Sequence, residues 1–158
     1  VPEPLILADT AKILDLSEPT AKMSKSSPTD CLFLLDPPEV ITKKIKTAVT
    51  DSGRDIAWDP VEKPGVSNLL SLIAAFTAST PTAVADDLAG GGYGGLKKAA
   101  IEAVLEFTVP FSARVHELLA DRTYLLQLMA IGAERARAAA QPTLALTYER
   151  VGFVTLPN

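Results

Sequence analysis

The stretch DPPEVITKKIKTAV, residues 36–49, marks the point at which the sequence becomes helical. Its apolar residues recur at intervals of three and four: Val40, Ile41, Ile45, Ala48 and Val49. Such spacing places them on one face of an α-helix. Glu39 lies in the first turn and three lysines follow later, an order that suits the helix dipole. We therefore predict an amphipathic helix here and a change of architecture near Asp36.

Helical patterns continue toward the C-terminus. A second apolar face is formed by Val66, Leu69, Leu70, Ile73 and Phe76. A short third helix is expected over 81–88, and a long pattern runs from Leu96 to Leu118, with Pro110 expected to kink or interrupt it. The last helix is expected to include Leu125 to Ala133 and to end in the alanine-rich stretch before Pro142. Glycines 90–95 should break the chain. Residues 36–158 are thus predicted to form a mainly α-helical domain.

The first 35 residues differ from the rest. Apolar runs at 5–7 and 12–16 are too short for helices and fit strands or loops. A turn is expected at 17–20, and residues 27–30 match a helix start with a serine cap and a proline in the first turn. This segment is predicted to be the irregular edge of another architecture.

Composition limits the classes of protein that fit. The chain has 158 residues, 47% of them apolar, and a net charge of −4. No apolar run approaches the roughly 18 residues of a membrane span, and residues 1–10 lack a signal-peptide pattern, so we expect neither membrane insertion nor secretion. The single cysteine, Cys31, excludes an internal disulfide and a multi-cysteine metal site, which fits a cytoplasmic protein. Because the first residue is Val1, the chain is expected to be a piece of a longer protein.

Two lysines in the segment AKMSKSSP, residues 21–28, are the candidate functional residues. Lys22 and Lys25 are compact cations with three donors each, and the neighbouring serines add neutral donors. A helical turn opening at Pro28 would add backbone N–H groups. Such a cluster suits phosphate oxygens, although a Lys-x-x-Lys pair in an arbitrary loop is more often simply solvated.

The complete string makes the functional interpretation stronger. Residues 22–26, KMSKS, are identical to the signature loop of class I aminoacyl-tRNA synthetases. Further stretches occur in the order found in bacterial tryptophanyl-tRNA synthetases: VPEP at 1–4, ILDL at 13–16, KKIKTAVTDS at 43–52, KPGVSNLL at 63–70 and GYGGLK at 92–97. The chain resembles the C-terminal half of that family over nearly its whole length. The family usually has Asp-Pro after KMSKS, whereas this chain has Ser27 and Pro28.

The resemblance implies roles for six residues in binding ATP: Ile13, Lys22, Met23, Ser24, Lys25 and Ser26. Of these, Lys22 and Lys25 match the lysines that assist catalysis, with Lys25 the better candidate for the pyrophosphate part of ATP. Met23 would lie against the nucleotide and Ile13 against adenine. No metal-binding residue is expected in this chain, although Mg2+ is expected to accompany ATP.

The resemblance also implies an activity and partners. The intact protein would activate tryptophan with ATP and transfer it to tRNA(Trp), acting as a cytoplasmic homodimer without DNA or membrane partners. Residues 1–35 would be the C-terminal edge of a Rossmann-type nucleotide-binding domain that carries the KMSKS loop. Residues 36–158 would be the helical domain that meets the tRNA anticodon. The family's HIGH-type signature is absent from this chain, and His116 cannot supply it, so the chain alone is expected to be inactive.

A glycine-rich stretch and several basic residues are weaker indications of a binding site. Residues 90–95 satisfy the G-x-G-x-x-G pattern of dinucleotide sites, but a predicted helix rather than a strand precedes them. We interpret them as a flexible connection. Several basic residues could face either RNA or only solvent: Lys43, Lys44, Lys46, Lys97, Lys98, Arg135 and Arg137.

Two alternatives to a ligase remain at this stage. The chain could be a non-catalytic helical tRNA-binding module, or a helical interaction domain in which the lysine loop is coincidental. A ligase specific for tyrosine is less favoured than one specific for tryptophan, because KPGVSNLL and AVTDS resemble the tryptophan enzymes.

Overall fold

A computed structural model describes residues 3–4, 12–26 and 31–154. Within these ranges the chain forms five α-helices: α1 (Pro38–Thr47), α2 (Pro64–Thr77), α3 (Pro81–Asp87), α4 (Gly92–Ala120) and α5 (Arg122–Val151). The same ranges contain no strand, only an isolated antiparallel bridge between Leu14 and Lys22. The prediction of a mainly α-helical chain is confirmed. The predicted structures at 5–7 and 27–30 lie outside the described residues.

Helix α1 forms for the reasons visible in its sequence. Pro38 occupies the start of the helix, where its missing N–H costs nothing, and Glu39 lies in the first turn. Ile41 and Ile45 are buried on one face, and Ala48 at the C-cap is buried with them. Of the five predicted positions of this face, Ile41, Ile45 and Ala48 are thus confirmed, whereas Val40 is half-buried and Val49 is exposed.

Helix α2 is the centre of the core. Every residue from Gly65 to Ala74 is buried, so the helix is covered on all sides rather than on one face. Val66, Leu69 and Leu70 are completely inaccessible to solvent. Close packing fixes the position of such a helix, because its side chains cannot move without opening the core. Segments that are bonded to it are therefore held in place as well.

The glycine-rich stretch only partly breaks the chain. Gly90 and Gly92 have positive φ angles of 81° and 62°, which side chains with a Cβ rarely adopt. Helix α4 nevertheless begins at Gly92 and takes Gly94 and Gly95 into its first turns. Burial of Leu96, Ala100 and Val104 against the core stabilises this helix beyond what the glycines alone predict.

The two longest helices continue through their prolines. Helix α4 is not interrupted at Pro110, so the expected interruption is excluded and the kink stays a prediction. The prediction that the last helix ends among the alanines before Pro142 is wrong, because α5 continues to Val151. Alanine has the highest helix propensity, so the stretch before Pro142 favours continuation of the helix.

The chain divides into two compact units, Val1–Ser112 and Ala113–Asn158. In the first unit, residues 12–26 pack with α1, α2 and the start of α4. The second unit holds the end of α4 and α5, which has no buried residue among those described. The predicted functional division into residues 1–35 and 36–158 stays a prediction.

None of the described helices is by itself long and apolar enough to cross a membrane; α2 and α3 pass such a test only as a pair bent by 101°.

Candidate functional site

The two predicted lysines lie at the end of a narrow hairpin, residues 12–26, which we call the lysine arm. Leu14 and Lys22 form its antiparallel bridge. On either side of the bridge, the Asp15 N–H donates to the Ala21 carbonyl at 3.0 Å and the Met23 N–H donates to the Ile13 carbonyl at 3.4 Å. The arm therefore has a defined register in the segment that leads into Lys22.

Asp15 closes the turn of the lysine arm. Its Oδ1 accepts hydrogen bonds from the Ser17 N–H and Oγ, both at 2.8 Å, and from the Glu18 N–H at 3.1 Å. Burial by itself would raise the pKa of Asp15, but these hydrogen bonds outweigh it and the pKa lies below its usual value. An ionised carboxylate thus holds the turn together.

The base of the arm is fixed to the helical core. The side chain of Asn68, on α2, makes two hydrogen bonds to the backbone of Leu14. Leu16 is buried in the core, and its carbonyl accepts from the Val49 N–H at 2.7 Å. The arm is therefore attached to the core through the backbone atoms of both Leu14 and Leu16.

Beyond the bridge, the polar side chains of the arm face solvent. Lys22, Lys25 and the two serines between and after them are exposed. Ser24 Oγ lies 3.2 Å from Ser26 Oγ and also accepts from the Ser26 N–H at 3.3 Å. The arm thus brings lysine and hydroxyl donors together over five residues, as the sequence predicts, on the side away from the core.

The two apolar members of the predicted site lie on the opposite side of the arm. Ile13 and Met23 are partly buried and pack against the core cluster. They are joined by the hydrogen bond between their backbones, so all six predicted site residues belong to one local structure. Ser27 and Pro28, where the chain departs from the family pattern, lie outside the described residues.

Sequence reasoning assigned no role to a polar cluster formed by Asp51, Lys63 and Tyr93. The Tyr93 hydroxyl donates a short hydrogen bond to Asp51 Oδ1, which also accepts from the Gly53 N–H at 2.7 Å. Lys63 Nζ donates to the Tyr93 oxygen at 3.2 Å and lies 3.7 Å from Asp51 Oδ2. The cluster joins the loop after α1 to the starts of α2 and α4. Each residue lies in a stretch that resembles the family, but only the folded chain shows that they meet.

The polar cluster sets the charge of its members. The hydrogen bond from Tyr93 lowers the pKa of Asp51, while burial together with that same bond raises the pKa of Tyr93. Interaction with Tyr93 raises the pKa of Lys63. At neutral pH the cluster holds a carboxylate, a neutral phenol and an ammonium group.

This arrangement predicts a specific loss of stability in acid. Because the folded pKa of Asp51 is below its unfolded value of about 3.9, its contribution is complete well above that pH and is lost as the pH falls through the folded pKa. From about pH 5 downward, we expect the melting temperature to fall less steeply in Asp51→Asn than in the parent chain. Circular dichroism melts between pH 3 and 7 measure the difference. Asp86→Asn, at an exposed position on α3, is the control, and an equal slope in all three proteins would contradict the prediction.

The α1 lysines do not form a uniform basic face. Lys44 Nζ contacts Asp36 Oδ2 at 2.8 Å and donates to the Cys31 carbonyl at 2.7 Å, so it points into the protein. Lys46 instead lies beside α4, where Lys97 Nζ donates to its carbonyl at 3.0 Å. An open groove of about 420 Å3 is lined there by Thr42, Lys46, Gly94, Lys97, Lys98, Ile101 and Glu102.

With the arm and its attachment defined, comparison with known proteins decides the family. The family model described as tRNA synthetases class I (W and Y) matches residues 2–133. The chain belongs to that family. The resemblance inferred from the KMSKS string is therefore confirmed.

Individual members of the family agree. The tryptophan–tRNA ligases of Mycobacterium leprae and Corynebacterium glutamicum are each 47% identical over 156 residues, covering 98% of this chain and 46% and 45% of their own lengths. The chain thus spans about half the length of the curated relatives it matches. Among solved structures, tryptophanyl-tRNA synthetase from Mycoplasma pneumoniae has a TM-score of 0.77 at 32% identity, over 94% of this chain and 47% of its own.

A second family member was solved with ligands. The Campylobacter jejuni enzyme, complexed with ADP and tryptophan, has a TM-score of 0.66 at 25% identity, over 90% of this chain and 44% of its own. The roles assigned to Ile13 and to residues 22–26 stay predictions.

Proposed function

We propose that the protein carrying this chain is a tryptophan–tRNA ligase, which activates tryptophan with ATP and transfers it to tRNA. The observation that carries the proposal is the lysine arm: two exposed lysines, flanked by hydroxyl donors, on a hairpin anchored to a buried helix. Membership of the class I family and the names of the curated relatives support the same conclusion.

The arm suits a reaction in which pyrophosphate leaves. Negative charge grows on the leaving phosphates in the transition state, and ammonium groups placed there stabilise that charge more than they stabilise bound ATP. Lys25 is assigned to the pyrophosphate part of ATP and Lys22 to a second phosphate contact. Ser24 and Ser26 add neutral donors, while Ile13 and Met23 offer apolar surface to the nucleotide.

Mg2+ is expected to accompany ATP, but the described part of this chain is unsuited to hold it. Hard cations take oxygen ligands, above all carboxylates and phosphates. Residues 22–26 present amines and hydroxyls, and within the described ranges no group of three or more histidine, cysteine, aspartate or glutamate side chains could bind a metal ion. The contribution assigned to this chain is therefore that of its lysines.

The helical part of the chain is proposed to meet tRNA. The groove between α1 and α4 has three lysines on its wall, and lysines attract a phosphate backbone despite the net charge of −4. In this proposal residues 36–158 face the anticodon, and the intact protein acts in the cytoplasm as a homodimer, as the resemblance implies.

The test is amino-acid-dependent exchange between ATP and pyrophosphate, scanned over all twenty amino acids with Mg2+ present. We expect exchange with tryptophan alone. Exchange with tyrosine would assign the protein to the neighbouring specificity. No exchange, together with preferential binding of a tRNA with anticodon CCA over an anticodon-swapped version, would favour the non-catalytic tRNA-binding module instead.

A further inference from the structure

Asn68 attaches the lysine arm to the core by both of its polar atoms. Its amide nitrogen donates to the Leu14 carbonyl at 2.9 Å, and its amide oxygen accepts from the Leu14 N–H at 2.8 Å. The side chain is buried, with 4% of the residue exposed, and the two residues are 54 positions apart in sequence. This is a long-range contact that satisfies both backbone groups of a single residue.

The direction of these bonds follows from the bridge. Leu14 and Lys22 are paired, but the ladder hydrogen bonds run between their neighbours, Asp15 to Ala21 and Met23 to Ile13. In such a pair of an antiparallel ladder, the N–H and C=O of each residue point away from the partner strand. Asn68 therefore occupies the outer edge of the hairpin and takes the place of a third strand.

The contact depends on a planar amide. Asparagine presents one donor and one acceptor side by side, matching the N–H and C=O of an extended residue. Aspartate would keep the acceptor and lose the donor, and leucine would lose both. Either change would remove hydrogen bonds from the backbone groups of the half-buried Leu14, which the fold turns away from the neighbouring strand, and such a loss is costly where water has little access.

The contact connects the core to Lys22 in two steps. Asn68 lies on α2 beside the inaccessible Leu69 and Leu70, so its position is fixed by core packing. It holds Leu14, and Leu14 is the bridge partner of Lys22. A shift of Leu14 would be passed to Lys22 through the ladder, and from there along the chain to Lys25.

We propose that Asn68 is a positioning residue for the reaction: it does not touch ATP, but it sets the place from which Lys22 and Lys25 reach the phosphates. The inference rests on the proposed function for its effect on rate. It goes beyond that function by assigning the placement of the lysines to a residue 43 positions beyond Lys25 in the sequence.

The test compares Asn68→Leu with Val84→Ala in the protein that carries this chain. Val84 is buried on α3 and its side chain makes no hydrogen bond, so its truncation destabilises the fold without removing a hydrogen bond of the arm. We expect Asn68→Leu to lower kcat for tryptophan-dependent exchange about tenfold, as loss of two neutral hydrogen bonds suggests, with the KM for tryptophan nearly unchanged. Val84→Ala should keep the parent kcat. Equal loss of kcat in both variants would overturn the proposal.

A double-mutant cycle separates positioning from general damage. If Asn68 acts through Lys22 and Lys25, Asn68→Leu should lower kcat much less in a background that carries both Lys22→Ala and Lys25→Ala than in the parent protein. Fully additive losses would contradict the proposal. Should Asn68→Leu fail to fold, Asn68→Asp retains the shape and one hydrogen bond and is used in the same cycle.

Amide hydrogen exchange measured by mass spectrometry provides a readout independent of activity. Asn68→Leu should speed exchange in peptides covering residues 12–26, whereas Val84→Ala should leave these peptides protected. If the parent protein shows no pyrophosphate exchange, the proposed function fails, while the role of Asn68 is still decided by this protection. Unchanged protection of residues 12–26 in Asn68→Leu would overturn the inference.

Discussion

Replacing Lys25 with alanine is expected to lower kcat for tryptophan-dependent pyrophosphate exchange by about a hundredfold, the usual cost of removing one donor that stabilises transition-state charge. Lys25 is exposed in the turn beyond the Leu14–Lys22 bridge, where its ammonium group can meet an anion. Because the charge on pyrophosphate grows as the bond to the α-phosphate breaks, the lost contact acts on the rate. Tryptophan affinity should change little, since the proposed contact is with phosphate.

The measurement is the steady-state exchange rate as a function of tryptophan and of ATP, which separates kcat from the two KM values. Arg54→Ala removes a positive charge from an exposed loop position elsewhere in the same unit and serves as the control. Equal losses of rate and tryptophan affinity in Lys25→Ala would contradict the assigned role. So would a comparable loss of rate in Arg54→Ala.

The substitution Gly65→Ala is expected to destabilise the fold by about 3 kcal/mol, the upper part of the usual range for overpacking a core. A Cβ at Gly65 would lie 2.2 Å from the Val49 carbonyl oxygen and 3.0 Å from its carbon. Both atoms belong to the backbone, so no side-chain rotation relieves the clash. Val49 also donates to the Leu16 carbonyl, and displacing it would disturb the base of the lysine arm.

Thermal and urea unfolding of the two alanine variants Gly65→Ala and Gly94→Ala measure this effect. Gly94 lies in α4, and a Cβ added there would have no neighbouring atom within 4 Å, so alanine should be neutral or stabilise the helix by up to about 1 kcal/mol. A parent-like midpoint for Gly65→Ala would show that the backbone near Val49 adapts easily. The close approach would then not constrain the fold.

Local patterns predicted the helices whose amphipathic faces are short and regular. In α1, Ile41, Ile45 and Ala48 are buried as their spacing indicates. In α2 most of the predicted apolar positions are buried as well, but so are Ser67 and Asn68, because the helix is surrounded by other segments. A periodicity argument describes one helix face and has no information about what covers the others.

The predicted end of the last helix before Pro142 is wrong for a related reason. Proline removes one backbone hydrogen bond and costs roughly 3 kcal/mol in a helix interior. The other residues of a long helix together stabilise it enough to offset that cost. Helix α5 contains 30 residues, and many of those on both sides of Pro142 favour helix. For the same reason Pro110 does not interrupt the 29-residue α4.

The loop with the candidate site residues could be found from its sequence motif, whereas the contacts that attach it to the helical core could not. KMSKS is contiguous, so Lys22 and Lys25 are visible in the sequence. The contacts of Asn68 with Leu14 and of Tyr93 with Asp51 join residues 54 and 42 positions apart. Nothing in the local sequence of either partner indicates the other, because only the packing of α2 and α4 brings them together.

The contact between Asn68 and Leu14 restricts substitutions at position 68 more than substitutions at position 14. Asn68 recognises the peptide groups of position 14 and ignores its side chain. Substitutions at position 14 therefore leave this contact intact, provided that the backbone stays extended. Proline is the exception, since it lacks the N–H that the amide oxygen requires. Position 68 has no such latitude, because only its side chain makes the contact.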